Sequence, residues 1–193
     1  MEHKAKMLAV FLALVFSAFP LSAFGAESAA ECRALGGRFK DGSKLSPKER
    51  ADMGLCYQLG RGVPQDYAEA VKHYRAALKG GFQRAGLYLG HMLATGKGVP
   101  EDRPAAMALY IALAERGDAD GQFPLGMHIA TDAAAGYGDP LEAHMWLNLA
   151  SSGDLPEPLR RIARRSISRL EGRMTPAQIA EAQRRAREWK PKK

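Results

Sequence analysis

Residues 54–74 read GLCYQLGRGVPQDYAEAVKHY, and residues 90–110 read GHMLATGKGVPEDRPAAMALY. Gly54, Gly60, Gly62, Val63, Pro64, Asp66, Ala70 and Tyr74 recur as Gly90, Gly96, Gly98, Val99, Pro100, Asp102, Ala106 and Tyr110, every pair 36 residues apart. Eight coincidences at one offset mark an internal repeat, and a period of this length belongs to architectures built by stacking like units. A degenerate third copy follows at the same offset: Leu89-Gly90 maps to Leu125-Gly126, and Gly117 to Gly153. Its loop, Thr131 to Gly138, lacks the Gly-x-Gly-Val, while Asp139 is still placed to open a helix.

Each unit predicts two helices and a turn. Ser46-Pro47-Lys48-Glu49 supplies an N-cap, a first-turn proline and a capping-box glutamate in order. The helix then runs to Leu59 and stops at Gly60, which is free to take the left-handed conformation. Val63 is an apolar plug under the turn. Asp66 caps the second helix with Glu69 three residues on, and Ala70, Tyr74, Ala77 and Leu78 form one buried stripe. Small residues at Gly54, Ala70, Gly90 and Ala106 permit close helix approach. A single hairpin cannot cover its own stripe, so neighbours must stack on it. In the third copy Pro124 falls inside the first helix and is expected to start it late or bend it.

The pattern Ala85-x-x-x-Leu89-Gly90, Gly96-x-Gly98-Val99-x-x-Asp102, Ala106 and Tyr110-x-x-x-Ala114-x-x-Gly117 resembles the Sel-1-like repeat, a longer-loop relative of the tetratricopeptide repeat. The resemblance covers roughly Lys48 to Asp154. It implies an all-α fold, a right-handed α/α superhelix, that serves as an adaptor for other proteins, commonly in exported bacterial regulators. The repeats are then 47–82, 83–118 and a degenerate 119–154, between an N-terminal cap over 26–46 and a basic C-terminal helical pair over 155–193. The same resemblance admits a β-lactam-binding or hydrolysing enzyme of the cysteine-rich repeat type.

Working outward, Ser28-Ala29-Ala30-Glu31 is a capping box and Leu35-Gly36 a stop, so a short helix carries Cys32, followed by a loop from Gly36 to Ser43. Lys4 and Lys6, the apolar run from Met7 to Phe19, Pro20 and Ala23-Phe24-Gly25 form the pattern of a secretory signal peptide cut before Ala26. This thirteen-residue run, apolar but for Ser17, falls short of the ~20 residues that span a bilayer as a helix. The chain is therefore expected to be exported, periplasmic or secreted. In an oxidising compartment Cys32 and Cys56 are expected to form a disulfide, worth about 3 kcal/mol by loop closure; two separately buried thiols are the alternative. Beyond the repeats, Leu159, Ile162, Ala163, Ile167 and Leu170 mark one helix face. Thr175-Pro176-Ala177-Gln178 opens a last helix lined by Ile179, Ala182, Ala186 and Trp189.

The chain has 193 residues, 46% hydrophobic and 25% charged, with two cysteines. That composition excludes a wholly disordered chain and a disulfide-dense miniature scaffold. The formal charge of +7 is unevenly placed: Glu157 to Lys193 carries twelve Lys or Arg against four Asp or Glu. Arg160, Arg161, Arg164, Arg165 and Arg169 stack at three- and four-residue spacings on one helix. Like charges so placed repel, and they make either a solvated outer face or a contact for an anionic partner such as an acidic protein, glycan or lipid surface. Nucleic acid is not expected, because the chain is exported and carries no recognition motif.

Motifs that carry chemistry are missing. Gly96-Lys97-Gly98 repeats Gly60-Arg61-Gly62 and is turn chemistry, without the spacing of a phosphate loop. His73, His91, His128 and His144 make no His-Glu-x-x-His motif, so no metal and no cofactor is expected. No Gly-x-Ser-x-Gly elbow occurs, and no serine is followed three residues later by lysine. The remaining candidate is the inner curve of the solenoid, where the first helices present Leu55, Gln58 and Leu59, then Leu87 and His91, then Phe123 and Met127. Arg84 and Asp120 sit at its edge. Exposed, these residues would be an adaptable strip for a protein or peptide; otherwise they pack against neighbouring helices.

Overall fold

The computed structural model describes residues 28–42 and 44–192, and among them the secondary structure is helical throughout, in nine helices. The leader expected over 1–25 lies outside the described residues. The helices are α1 (Ala29–Lys40), α2 (Pro47–Leu59), α3 (Tyr67–Lys79), α4 (Ala85–Thr95), α5 (Arg103–Glu115), α6 (Ala119–Ala134), α7 (Pro140–Ser152), α8 (Glu157–Glu171) and α9 (Pro176–Glu188). They group into two compact units, and the division falls within α5, between Leu109 and Tyr110.

In the first unit α1 packs on α2, α2 on α3 and α3 on α4. The repeat's caps form as its sequence requires. Ser46 Oγ accepts the Glu49 amide while the Glu49 carboxylate accepts the Ser46 amide. Gly60 and Gly96 close α2 and α4 in the left-handed conformation, at φ 65° and 64°. Asp66 Oδ1 accepts the Glu69 amide, and Asp102 Oδ1 the Ala105 amide.

Close approach explains the small residues. A Cβ on Gly54 would lie 2.7 Å from Tyr74 Cε1, so the α3 tyrosine rests directly on the α2 backbone. Tyr74 is fully buried, stacks on Tyr88 at 5.3 Å and donates its hydroxyl to Gln58 Oε1 at 2.6 Å. The second glycine of each loop meets the start of an earlier helix: a Cβ on Gly98 would stand 2.3 Å from the Tyr67 carbonyl oxygen, and one on Gly62 2.3 Å from the Ala29 carbonyl oxygen. Gly62 thus meets α1 as Gly98 meets α3, so α1 takes the place that a preceding repeat's second helix would hold. Cys32 and Cys56 are joined in a disulfide with a sequence separation of 24, and Leu35 and Val63 pack against it.

Helix α1 corrects one expectation. It does not stop at Leu35-Gly36 but continues to Lys40, leaving a connection of only six residues before α2. Gly36 is buried there for proximity: a Cβ would meet Met53 Cε at 3.5 Å and Val63 Cγ1 at 3.7 Å. The added turn holds Phe39 edge-on against His73 at 5.1 Å and Arg38 in an ion pair with Glu49 at 2.6 Å.

In the second unit α6 packs on α7, while α8 and α9 both pack on α7 and α8 also meets α6. Pro124 does not delay α6, which begins at Ala119 with the Gly121 and Gln122 amides bonded to the Asp118 carbonyl. Proline at the sixth helical position removes one backbone bond and is buried in compensation. Helix α6 also overruns the expected loop, keeping Thr131 to Ala134 helical, and Thr131 Oγ1 donates to the Met127 carbonyl at 2.9 Å. Trp189 does not line α9, which ends at Glu188; Trp189 is extended at φ −62°, ψ 140°. Pro191 drives Lys190, the residue before it, out of the helical region, so α9 cannot continue past Trp189.

Candidate functional site

The nine residues placed on the inner curve have different surroundings. In the first unit Leu55, Gln58, Leu87 and His91 are buried, while Arg84 is half-buried and Leu59 is 39% exposed. In the second unit Phe123 is fully buried, and Asp120 and Met127 are half-buried. Five of the nine are therefore core rather than an open strip. The reason is plain in α4, where every residue from Ala85 to Ala94 is buried: a helix apolar on all sides is covered on all sides. Gln58 is held by structure as well, its side chain accepting from Tyr74 and its carbonyl from Gln65 Nε2 at 2.8 Å.

The arginines of α8 behave differently. Arg160 is half-buried, bonded to Glu157 Oε2 at 3.2 Å and to the Gly153 carbonyl at 3.3 Å. Arg161, Arg164, Arg165 and Arg169 are exposed, and their helix buries Leu159, Ala163, Ser166 and Leu170 on the opposite side. On α9, by contrast, Arg184 and Arg185 are paired with Glu181, and Arg184 with Glu188. Those pairs hold the Glu181 carboxyl below its ordinary range, the Arg185 hydrogen bond contributing most.

Past α9 the chain turns back on its own unit. The Lys192 amide donates to the Glu115 carbonyl at 2.7 Å, and its ammonium reaches Glu115 Oε1 at 2.5 Å. Pro191 lies over Gly117, where a Cβ would be 3.2 Å from Pro191 Cγ. Trp189 meets Trp146 edge-on at 5.7 Å, and Trp146 Nε1 donates to Glu142 at 3.2 Å. The sequence placed Trp189 on the last helix and gave Pro191 and Lys192 no part; a proline three residues past the helix end, close to one of only two tryptophans, is the available signal.

Buried titratable groups sit in both units. His73 is held between Tyr57 and Phe39, and burial lowers its imidazole below the ordinary value of 6.5. Asp52 is buried against Lys48 at 3.1 Å; desolvation raises its carboxyl, and its Oδ1 has no hydrogen-bond partner among the described residues. His144 is fully buried with Nε2 3.0 Å from Glu171 Oε1, tying α7 to α8. Among the described residues no three His, Cys, Asp or Glu converge as metal ligands, and no helix is long and apolar enough to cross a membrane.

No curated protein matches the chain. Among solved structures, a protective antigen of uropathogenic Escherichia coli strains, displaying an SLR fold, aligns at TM-score 0.65 and 24% identity. The alignment covers 81% of this chain but 32% of that one, so the chain spans about a third of its length. A Sel1 repeat protein from Oxalobacter formigenes aligns at TM-score 0.52 and 25% identity, over 70% of this chain and 98% of that one. The Sel1 repeat matches residues 50–82, 85–118 and 121–155. With three copies covering more than half of the sequence, and helices lying where those copies require them, the chain belongs to the Sel1 repeat family.

Proposed function

We propose that this protein is an exported, non-enzymatic adaptor that holds a protein or peptide partner on its helical repeats. The carrying observation is the repeat itself: Sel1 repeat proteins generally mediate protein–protein interaction, and this chain has three copies. Export is supported by the Cys32–Cys56 disulfide, a bond that persists in oxidising compartments and is rare in the cytosol. Recognition falls to the parts of the first-helix faces that remain accessible, Leu59 and Arg84 in the first unit and Asp120 and Met127 in the second.

In-cell crosslinking of the full chain, with identification of the bound protein, tests this reading. Leu59→Glu and Met127→Glu, made separately, are expected to preserve helical circular dichroism while reducing recovery of that protein. Unchanged recovery by both variants discards these faces. The enzyme alternative is tested by nitrocefin: hydrolysis above the buffer rate by purified protein would replace the adaptor reading.

The four exposed arginines of α8 favour a second reading, a contact for an anionic macromolecule. Binding of an acidic protein, glycan or lipid vesicle should then fall steeply with salt. It should also fall in Arg164→Gln/Arg165→Gln, and salt-insensitive binding would reject that contact.

A further inference from the structure

The C-terminal segment displays how this fold takes up an extended peptide. Four kinds of contact converge on Trp189 to Lys192. The last carbonyls of α5 have no partner within their own helix; those of Leu113 and Ala114 accept the amides of Arg116, Gly117 and Asp118, whereas the Glu115 carbonyl accepts the Lys192 amide. The Glu115 carboxylate, on the same residue, takes the Lys192 ammonium. Gly117, at φ 92°, leaves a surface without a side chain against which the Pro191 ring lies. Trp146, 7% exposed and steadied by Glu142, offers its ring to Trp189.

The segment enters in a conformation close to polyproline II, the form that Pro-containing ligands bring to aromatic-lined seats. Lys190 is exposed and makes no hydrogen bond or ion pair among the described residues, so the pattern being read is Trp-x-Pro-Lys. A backbone acceptor, a carboxylate, a flat glycine and an aromatic ring together specify an aromatic residue, a proline and a cation in extended spacing.

We propose that Glu115, Gly117 and Trp146 form a peptide-docking seat for a basic, extended Trp-x-Pro-Lys segment of a partner protein, which the chain's own tail occupies in cis. A tethered tail competes at an effective concentration of order millimolar, so the partner segment gains access by displacing it. The proposal rests on the adaptor reading but uses a surface separate from the first-helix faces, so either can fail without the other.

The probe is a fluorescein-labelled peptide with the sequence of Arg187 to Lys192, titrated into the full chain by fluorescence anisotropy. The full-length variant Trp189→Ala/Lys192→Ala, with its own tail weakened, is expected to bind the probe at least ~10-fold tighter than the unmodified chain. Adding Glu115→Lys should abolish that gain, and a probe carrying glutamate at the Lys192 position should restore it. Equal affinity of the unmodified and tail-weakened chains, or indifference to Glu115→Lys, overturns the proposal. A readout on the unmodified chain covers the case of a variant that does not fold. The Trp146–Trp189 pair should give an exciton couplet in far-ultraviolet circular dichroism, which millimolar probe with phenylalanine in place of tryptophan should diminish. A couplet unaffected by the probe overturns it equally. Partner recovery that survives Glu115→Lys leaves the first-helix reading intact, whereas its loss from Leu59→Glu alone leaves the seat untouched.

Discussion

Gly96 and Gly98 stand in one loop, both at positive φ, and differ in what surrounds them. At Gly96 (φ 64°) an added Cβ would find Glu101 Cβ at 3.6 Å, an ordinary contact. At Gly98 (φ 71°) it would stand 2.3 Å from the carbonyl carbon and oxygen of Tyr67 and 2.7 Å from the Ala68 nitrogen. Those are backbone atoms, which no rotamer change can move aside. A left-handed alanine costs about 1–2 kcal/mol, partly offset by ~0.4–1 kcal/mol from the reduced freedom of the unfolded chain. Gly96→Ala should therefore lose about 1 kcal/mol. Gly98→Ala bears the same cost plus about 1–3 kcal/mol for forcing loop and helix apart, or ~2–4 kcal/mol in all. It also disturbs Lys97, whose ammonium lies 5.6 Å from the Tyr67 ring centroid. Urea unfolding followed by circular dichroism at 222 nm compares the two variants directly. Equal losses would show that the glycine is needed for its φ alone and would refute the close contact between loop and helix on which the stacking argument stands.

Other outcomes are equally specific. Cys32→Ala/Cys56→Ala should lower stability by about 3 kcal/mol in the chain-entropy account of a loop of this length. In the unmodified protein, thiol labelling under denaturing conditions should require a reductant. Tyr74→Phe leaves Gln58 Oε1 buried without its donor and should cost ~1–3 kcal/mol, part of which Gln58→Leu in the same chain recovers. For His73 the unfolded chain takes up its proton at a higher pH than the folded one. Its contribution is therefore complete above pH 6.5 and is lost as the pH falls below it. His73→Phe should flatten the fall in urea midpoint between pH 7 and 5 (an unaltered slope would place that fall elsewhere).

Where the sequence speaks through local chemistry, the structure follows it closely. Ser46, Asp66, Asp102 and Thr175 cap helices because a side-chain oxygen within reach of an amide is a short-range matter. Gly60 and Gly96 end helices for a similarly local reason. Departures occur where tertiary contacts override local signals. Gly36 reads as a stop but serves close packing against Met53, and Pro124 reads as a breaker but loses only one bond in a buried helix. In the third copy the Gly-x-Gly pair stands at Gly136 and Gly138, four residues beyond the 36-residue offset, and that displacement matches the extra turn of α6.

The candidate site was less legible for a related reason. Helical spacing identifies which residues share a face, yet Leu55, Leu87 and Phe123 sit on helices apolar on more than one side, and spacing cannot say which side is covered. Four of the five α8 arginines were easier to place, since charged side chains are rarely buried. The docking of Lys192 on Glu115 joins residues 77 apart in sequence, and no short-range pattern announces such a pair.

Helix α1 offers Gly62 what α3 offers Gly98, so the opening and the interior of the array share one connector. A further 36-residue block spliced in after Gly80 would find a matching surface waiting and leave an identical one behind. Lengthening of this kind would reuse the same loop-to-helix contact and leave the Cys32–Cys56 staple at the start untouched.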